Sequence, residues 1–240
     1  MAWYHKHKYV ENPLEYDALK ADDELINYDK ELVKLLYWVE SGSAIIIKGP
    51  SGSGKTRLAK EIIFRFRGKG KLVYIKGSKI NKDFNVYNVL MKNQNFIKKF
   101  FGLIPKNIIL IIDDAQSLTS RAYKKIQYFF DQDNILSVVF LTRNHKELEM
   151  PLSLQDRIGS KIIKTSPLTK RQAMMLVKER LYNPFLSEKN IRDVQKRSGD
   201  FQNFLNNLEI VAKYMVEKDL KSCNINTIKK ALRRVHNDLV

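Results

Sequence analysis

Residues 49–56 read GPSGSGKT, the pattern GxxxxGK[ST] with every fixed position filled. Its flanks matter as much as its letters. Residues 44–47 (AIII) are apolar throughout, which predicts a strand buried on both faces, and residues 55–66 carry helical periodicity. A glycine-rich turn between a buried strand and a helix turns backbone N–H groups inward and sets the partial positive end of the helix beside them. That arrangement cradles phosphate. It also constrains the fold, because such a cradle sits at the carboxyl edge of an open, mostly parallel α/β sheet.

The loop names its own candidates. Gly49, Pro50, Ser51, Gly52, Ser53, Gly54, Lys55, Thr56 and Arg57 are the expected nucleotide-contacting residues. Lys55 would reach the β- and γ-phosphates of ATP, and the Thr56 hydroxyl would ligate Mg²⁺. A second candidate is residues 108–114 (IILIIDD), an apolar strand ending in two acids. An acid at a strand's carboxyl end lies at the ligand edge of the sheet. Asp113 is expected to hold Mg²⁺ and Asp114 to polarise the attacking water; the plainer reading of Asp114 is a helix cap.

Further strands are expected at 71–75, 135–141 and 161–164, alternating with helices at 29–40, 55–66 and 119–130. From residue 169 onward only helical patterns remain, near 169–181, 187–197, 201–217 and 226–237. The division expected is therefore residues 1–166, an N-terminal segment plus an α/β nucleotide-binding domain, and 167–240, a small helical lid.

The chain carries 43 Lys+Arg against 26 Asp+Glu, a net +17. The excess is concentrated in residues 51–100, which hold 13 basic and 2 acidic side chains. A surplus so placed favours a polyanion. Residues 76–106 hold seven lysines and one acid, interleaved with aromatics, so duplex DNA is an expected partner through Lys-rich surfaces. The single cysteine, Cys223, excludes an internal disulfide framework. No apolar run approaches the ~18 residues of a spanning helix, and the first residues lack the apolar core of a secretory signal. A cytoplasmic protein with no membrane partner is expected.

Four stretches resemble one family. GPSGSGKT and IILIIDDAQ are shared across the AAA+ ATPases, and the chain resembles that superfamily over about residues 10–220. Residues 137–181 and 197–215 (RSGDFQNFLNNLEIVAKYM) most resemble the archaeal and eukaryotic replication-initiator clade, with the transposition-helper ATPases next. The resemblance implies a P-loop NTPase parallel sheet with flanking helices and a helical lid. It implies ATP and Mg²⁺ as cofactors, ATP hydrolysis, assembly on DNA, and a homo- or hetero-oligomer with nucleotide between subunits. Thr142 or Asn144 would then be the sensor at the end of a central strand. Arg157, on the loop at 151–159, would be the arginine finger, with Arg143 the first alternative. Residues 11–19 weakly resemble the segment that wraps the adenine.

Three departures from the family pattern qualify this. Asp113-Asp114 stands where Asp-Glu is usual, and the shorter acid predicts slow hydrolysis. Gln202 stands where the lid would carry a sensor arginine. The initiators' winged-helix domain is not expected, since about twenty residues follow the 201–217 helix. A nucleotide-switched DNA-bound adaptor with negligible hydrolysis is therefore a second reading, and an AAA+ ATPase with no nucleic-acid role a third.

Overall fold

The computed structural model describes residues 2–15, 28–66, 71–77, 86–92, 106–182 and 185–237. Five strands, β1 (Ala44–Lys48), β2 (Lys71–Lys76), β3 (Ile108–Asp113), β4 (Ile135–Thr142) and β5 (Ile162–Lys164), form one sheet in the order β2-β3-β4-β1-β5. Every neighbouring pair is parallel. The apolar runs follow from this: helices cover both faces of the central strands, so successive side chains are buried along the whole of β3 and nearly all of β1 and β4.

The period-2 alternation sorts those side chains into two layers. Ala44, Ile46, Leu110, Ile112, Val138 and Phe140 pack with α4 (Val86–Lys92), α5 (Ser120–Asp131) and α6 (Leu152–Ile158). Ile45, Ile47, Ile109, Ile111, Val139 and Leu141 pack with α2 (Asp29–Glu40) and α3 (Lys55–Phe66). Burial of each such aliphatic side chain contributes about 1.5–3 kcal/mol. Thr119 caps α5, its side chain accepting from the backbone N–H of Ala122.

The second unit holds α7 (Lys170–Arg180), α8 (Glu188–Gln195), α9 (Phe201–Glu217) and α10 (Ile225–Asn237). Thr169 and Gln172 form a capping box at α7, and Ser187 and Asp200 cap α8 and α9. The compact units are residues 25–166 and residues 1–24 with 167–240. The N-terminal segment thus belongs with the helical unit, not with the α/β domain as the sequence suggested. The reason is apolar: α1 (Trp3–Lys6) buries Trp3 against Phe185, ring centroids 5.3 Å apart, and Tyr9 and Leu14 join the core built by α7 to α10.

Two further differences bear on the candidates. Residues 151–159 are not an open loop, since α6 occupies most of the span with Leu154 and Ile158 buried one turn apart. Most of the lysine- and aromatic-rich stretch at 76–106, including Lys79, Lys82, Lys98 and Lys99, lies outside the described residues, as do residues 16–19 of the segment expected to wrap the adenine.

Candidate functional site

β1 ends at Lys48, and residues 49–54 lead directly into α3, whose first turn begins with the Leu58 N–H donating to the Gly54 carbonyl at 3.0 Å. Gly52 and Gly54 adopt positive φ, 69° and 86°, which a side chain would strain. Gly49 is required for a different reason. A Cβ there would lie 2.2 Å from Thr165 Oγ1 and 2.4 Å from the Thr165 carbonyl oxygen. Strand β5 and the loop are packed that closely, and the Ser53 hydroxyl, 2.7 Å from the Pro50 carbonyl and 2.6 Å from Thr165 Oγ1, seals the contact. Of the expected contact residues, the Ser53 and Arg57 side chains are therefore engaged within the chain, Arg57 with Glu61.

At Gly54 the loop is less crowded. A Cβ at Gly54 would meet nothing nearer than the Tyr28 ring at 3.9 Å. Lys55 curls over the loop and donates to the Gly49 and Pro50 carbonyls at 2.7 Å each. Burial pushes its pKa down, the Asp113 and Asp114 carboxylates act the other way, and the Arg143 charge lowers it further. Arg143 therefore shares the electrostatic field of Lys55. The Tyr28 hydroxyl donates toward the Ser53 and Ser166 carbonyls and accepts from the Ser166 N–H, so this tyrosine braces the loop from outside.

Asp113, on β3, is 8% exposed. Its Oδ2 accepts from Thr56 Oγ1 at 2.9 Å and from the Tyr74 hydroxyl on β2 at 2.6 Å, and its Oδ1 accepts from the Asp114 N–H at 2.9 Å. The structure thus brings together two residues 57 positions apart, a hydroxyl and a carboxylate. Hard oxygen donors of this kind suit Mg²⁺. Tyr74 carries no sequence signal beyond sitting on a strand.

Asp114 adopts a left-handed conformation, φ 54°, ψ 47°. For a non-glycine residue this costs about 1–2 kcal/mol, though aspartate tolerates it better than most. Its side chain makes no cap hydrogen bond to the short helical turn Ala115–Ser117. Instead Oδ1 accepts from Gln116 Nε2 at 3.3 Å, while Gln116 Oε1 accepts from Thr142 Oγ1 at 3.1 Å. One amide bridges the second acid to the end of β4. Thr142 is 1% exposed, and its hydroxyl also faces the Asn144 carbonyl at 3.2 Å. Asn144 is committed elsewhere: Oδ1 accepts from the Lys146 N–H and Nδ2 donates to Glu147, capping the turn His145–Glu147. Of the two sensor candidates, the structure connects Thr142 to the acid and leaves Asn144 in a local turn.

Gly77 sets the position of the acid pair from the β2 side. A Cβ there would lie 2.3 Å from the Asp114 carbonyl oxygen and 2.9 Å from that of Asp113. Gly77→Ala is expected to displace this backbone, lowering stability by about 1–3 kcal/mol and ATP turnover about tenfold. A thermal melt with a turnover assay checks both, and parental values would show that the strand ends yield without moving the acids.

Arg157 lies in the last turn of α6, 48% exposed, its guanidinium 2.9 Å from Asp131 and 5.9 Å above the Phe130 ring. Gln202 is exposed in the first turn of α9.

Residues 41–173, more than half the chain, match the family described as AAA domain. No curated protein matches in sequence. Among solved structures, the Orc1 protein of Aeropyrum pernix in complex with DNA superposes with TM-score 0.70 at 16% identity, over 92% of this chain and 69% of that one. Cdc6p from Pyrobaculum aerophilum gives 0.69 at 16% identity, over 91% and 70%. The RuvB Holliday junction branch migration motor of Thermotoga maritima gives 0.66 at 18%, over 90% and 73%. These likenesses are of fold. With the GPSGSGKT loop, the parallel sheet beneath it and the match over residues 41–173, the chain belongs to the AAA domain family and is an ATPase of the AAA+ P-loop fold.

Proposed function

We propose that the protein binds and slowly hydrolyses ATP with Mg²⁺, and that it does so as an oligomer on duplex DNA. The observation that supports this best is the Thr56–Asp113 contact, which joins the first turn of α3 to the end of β3 beside the glycine loop. Bound Mg²⁺ would neutralise charge on the β- and γ-phosphate oxygens. Backbone N–H groups of residues 49–54 and the Lys55 ammonium hold the phosphates. Thr56 and Asp113 would hold the metal. Asp114 accepts a hydrogen bond from the attacking water, and Thr142 presents its hydroxyl beside it. Gln116 orients both, so it is a positioning residue. Arg157 acts on the neighbouring subunit's nucleotide.

Gln116→Ala is expected to leave ATP affinity within about twofold and to lower turnover about 10- to 100-fold, because only the orientation of the water is lost. Separate measurements of Kd and kcat check this; a loss confined to affinity would remove Gln116 from the mechanism.

The DNA reading is supported by the net +17 charge and by fold likeness to an Orc1 solved with DNA and to a branch migration motor. Residence in the cytoplasm accords with it, and no helix of the described residues is long and apolar enough to cross a membrane. The test is ATPase rate and oligomeric state, each with and without duplex DNA. Sequence-tolerant binding is expected with a log–log salt slope near −0.9 per neutralised phosphate. No binding at about 50 mM salt, where counterion release is strongest, overturns the DNA reading. A second reading, an adaptor that binds ATP and hardly turns it over, is favoured by one feature: the short Asp114 is tethered to Gln116 in a strained backbone. Asp114→Glu separates the two, since faster turnover identifies side-chain reach as the limit.

A further inference from the structure

The carboxyl ends of β4, β1 and β5 place Thr142, Lys48 and Lys164 in register across three neighbouring strands. In-register partners project from the same face, so the two lysines stand side by side, roughly 5 Å apart at the backbone. By strand parity Lys48 follows Ala44 and Ile46, whereas Asp113 follows Ile109 and Ile111, which pack toward α3. The two lysines and the Thr56–Asp113 pair therefore belong to opposite faces of the sheet edge.

Two further basic groups, His145 and Lys146, join them. Lys48 Nζ lies 3.0 Å from His145 Nδ1. The ammonium can only donate, so Nδ1 accepts and the ring's hydrogen sits on Nε2. Burial first, then the charges of Lys48, Lys146 and Lys164, push the His145 pKa down; burial, Lys164 and Lys146 do the same to Lys48. No carboxylate of the described residues forms an ion pair with these three lysines. Four basic residues from β1, the turn after β4, and β5 thus converge with no ion pair to a carboxylate among the described residues, and the ATPase chemistry above uses none of them.

We propose that Lys48, His145, Lys146 and Lys164 form an oxyanion subsite that takes a single phosphate group, separate from the glycine loop. Lysines on adjacent strands are spaced to grip one tetrahedral anion, and the His145 Nε2–H is a neutral donor to it. The phosphate comes either from a nucleic-acid backbone or from a free phosphate species. Only the first source rests on the DNA reading.

The test follows the His145 imidazole by NMR in the full chain, with and without saturating ADP. The chain has four histidines, and His145→Gln assigns the signal. Inorganic phosphate is titrated in one arm and a short duplex oligonucleotide in the other, each against sodium chloride of matched ionic strength. A saturable shift is expected in at least one arm, unchanged by ADP and lost in Lys164→Ala and Lys146→Ala, both at exposed positions. The responding arm identifies the source. A shift that ADP abolishes belongs to the glycine loop, and one that persists in both variants does not come from the cluster; either overturns the subsite, as does no shift in either arm. DNA binding with an unmoved His145 overturns the subsite while leaving the DNA reading intact.

Discussion

Lys55→Ala is expected to weaken ATP binding roughly 10- to 100-fold and to reduce turnover to background. Hydrogen bonds to a charged group are worth about 1.5–3 kcal/mol each, and this ammonium is the one cation of the glycine loop placed to meet the terminal phosphates. Without ligand it rests on the Gly49 and Pro50 carbonyls at 2.7 Å, so the wild-type side chain already stands over the loop. Arginine is not a substitute, because a planar fork does not fit a site formed around a compact ammonium. Nucleotide titration and a turnover assay measure the effect, and a thermal melt shows that the α/β unit still folds. Parental affinity and turnover in Lys55→Ala would remove the glycine loop from the proposed mechanism.

For Arg157→Ala the expected result is loss of about 10³-fold in turnover and of ATP-dependent assembly, with ATP binding by the monomer retained. An arginine that acts on the next subunit's γ-phosphate contributes where charge develops in transfer, not where its own subunit binds nucleotide. In the isolated chain the guanidinium is paired with Asp131 and rests over Phe130. A half-exposed pair of this kind is worth about 0–1 kcal/mol, so releasing Arg157 to a neighbour costs little. Mixing Arg157→Ala with Lys55→Ala is expected to restore part of the activity, since one subunit offers an intact glycine loop and the other an intact finger. Asp131→Ala is the control. If Arg157 serves only its ion pair, Asp131→Ala and Arg157→Ala lower stability by the same small amount and leave turnover unchanged.

Local features of the chain were readable because each is contiguous. The glycine loop needs eight consecutive residues, and each long central strand needs an apolar run, so both appear in the letters themselves. The bounds of α2, α3 and α9 follow from periodicity over 12, 12 and 17 residues. Helix α6 spans 7 residues, under two turns, and its pattern is too brief to stand out from a loop. What the sequence could not disclose is which distant residues meet. Tyr74 reaches Asp113 because β2 pairs with β3, and Gln116 reaches Thr142 because β4 lies on the other side of β3. Lys48 and Lys164, 116 positions apart, become neighbours because β1 is inserted between β4 and β5. The N-terminal segment joins the helical unit because Trp3, Tyr9 and Leu14 complete an apolar core built mainly from the other end of the chain. The sequence by itself determined the glycine-loop motif and the parallel α/β class, since both are written in short-range patterns. Strand order, a property of the assembled sheet, decided which side chains meet beside the glycine loop and which basic groups were left facing one another.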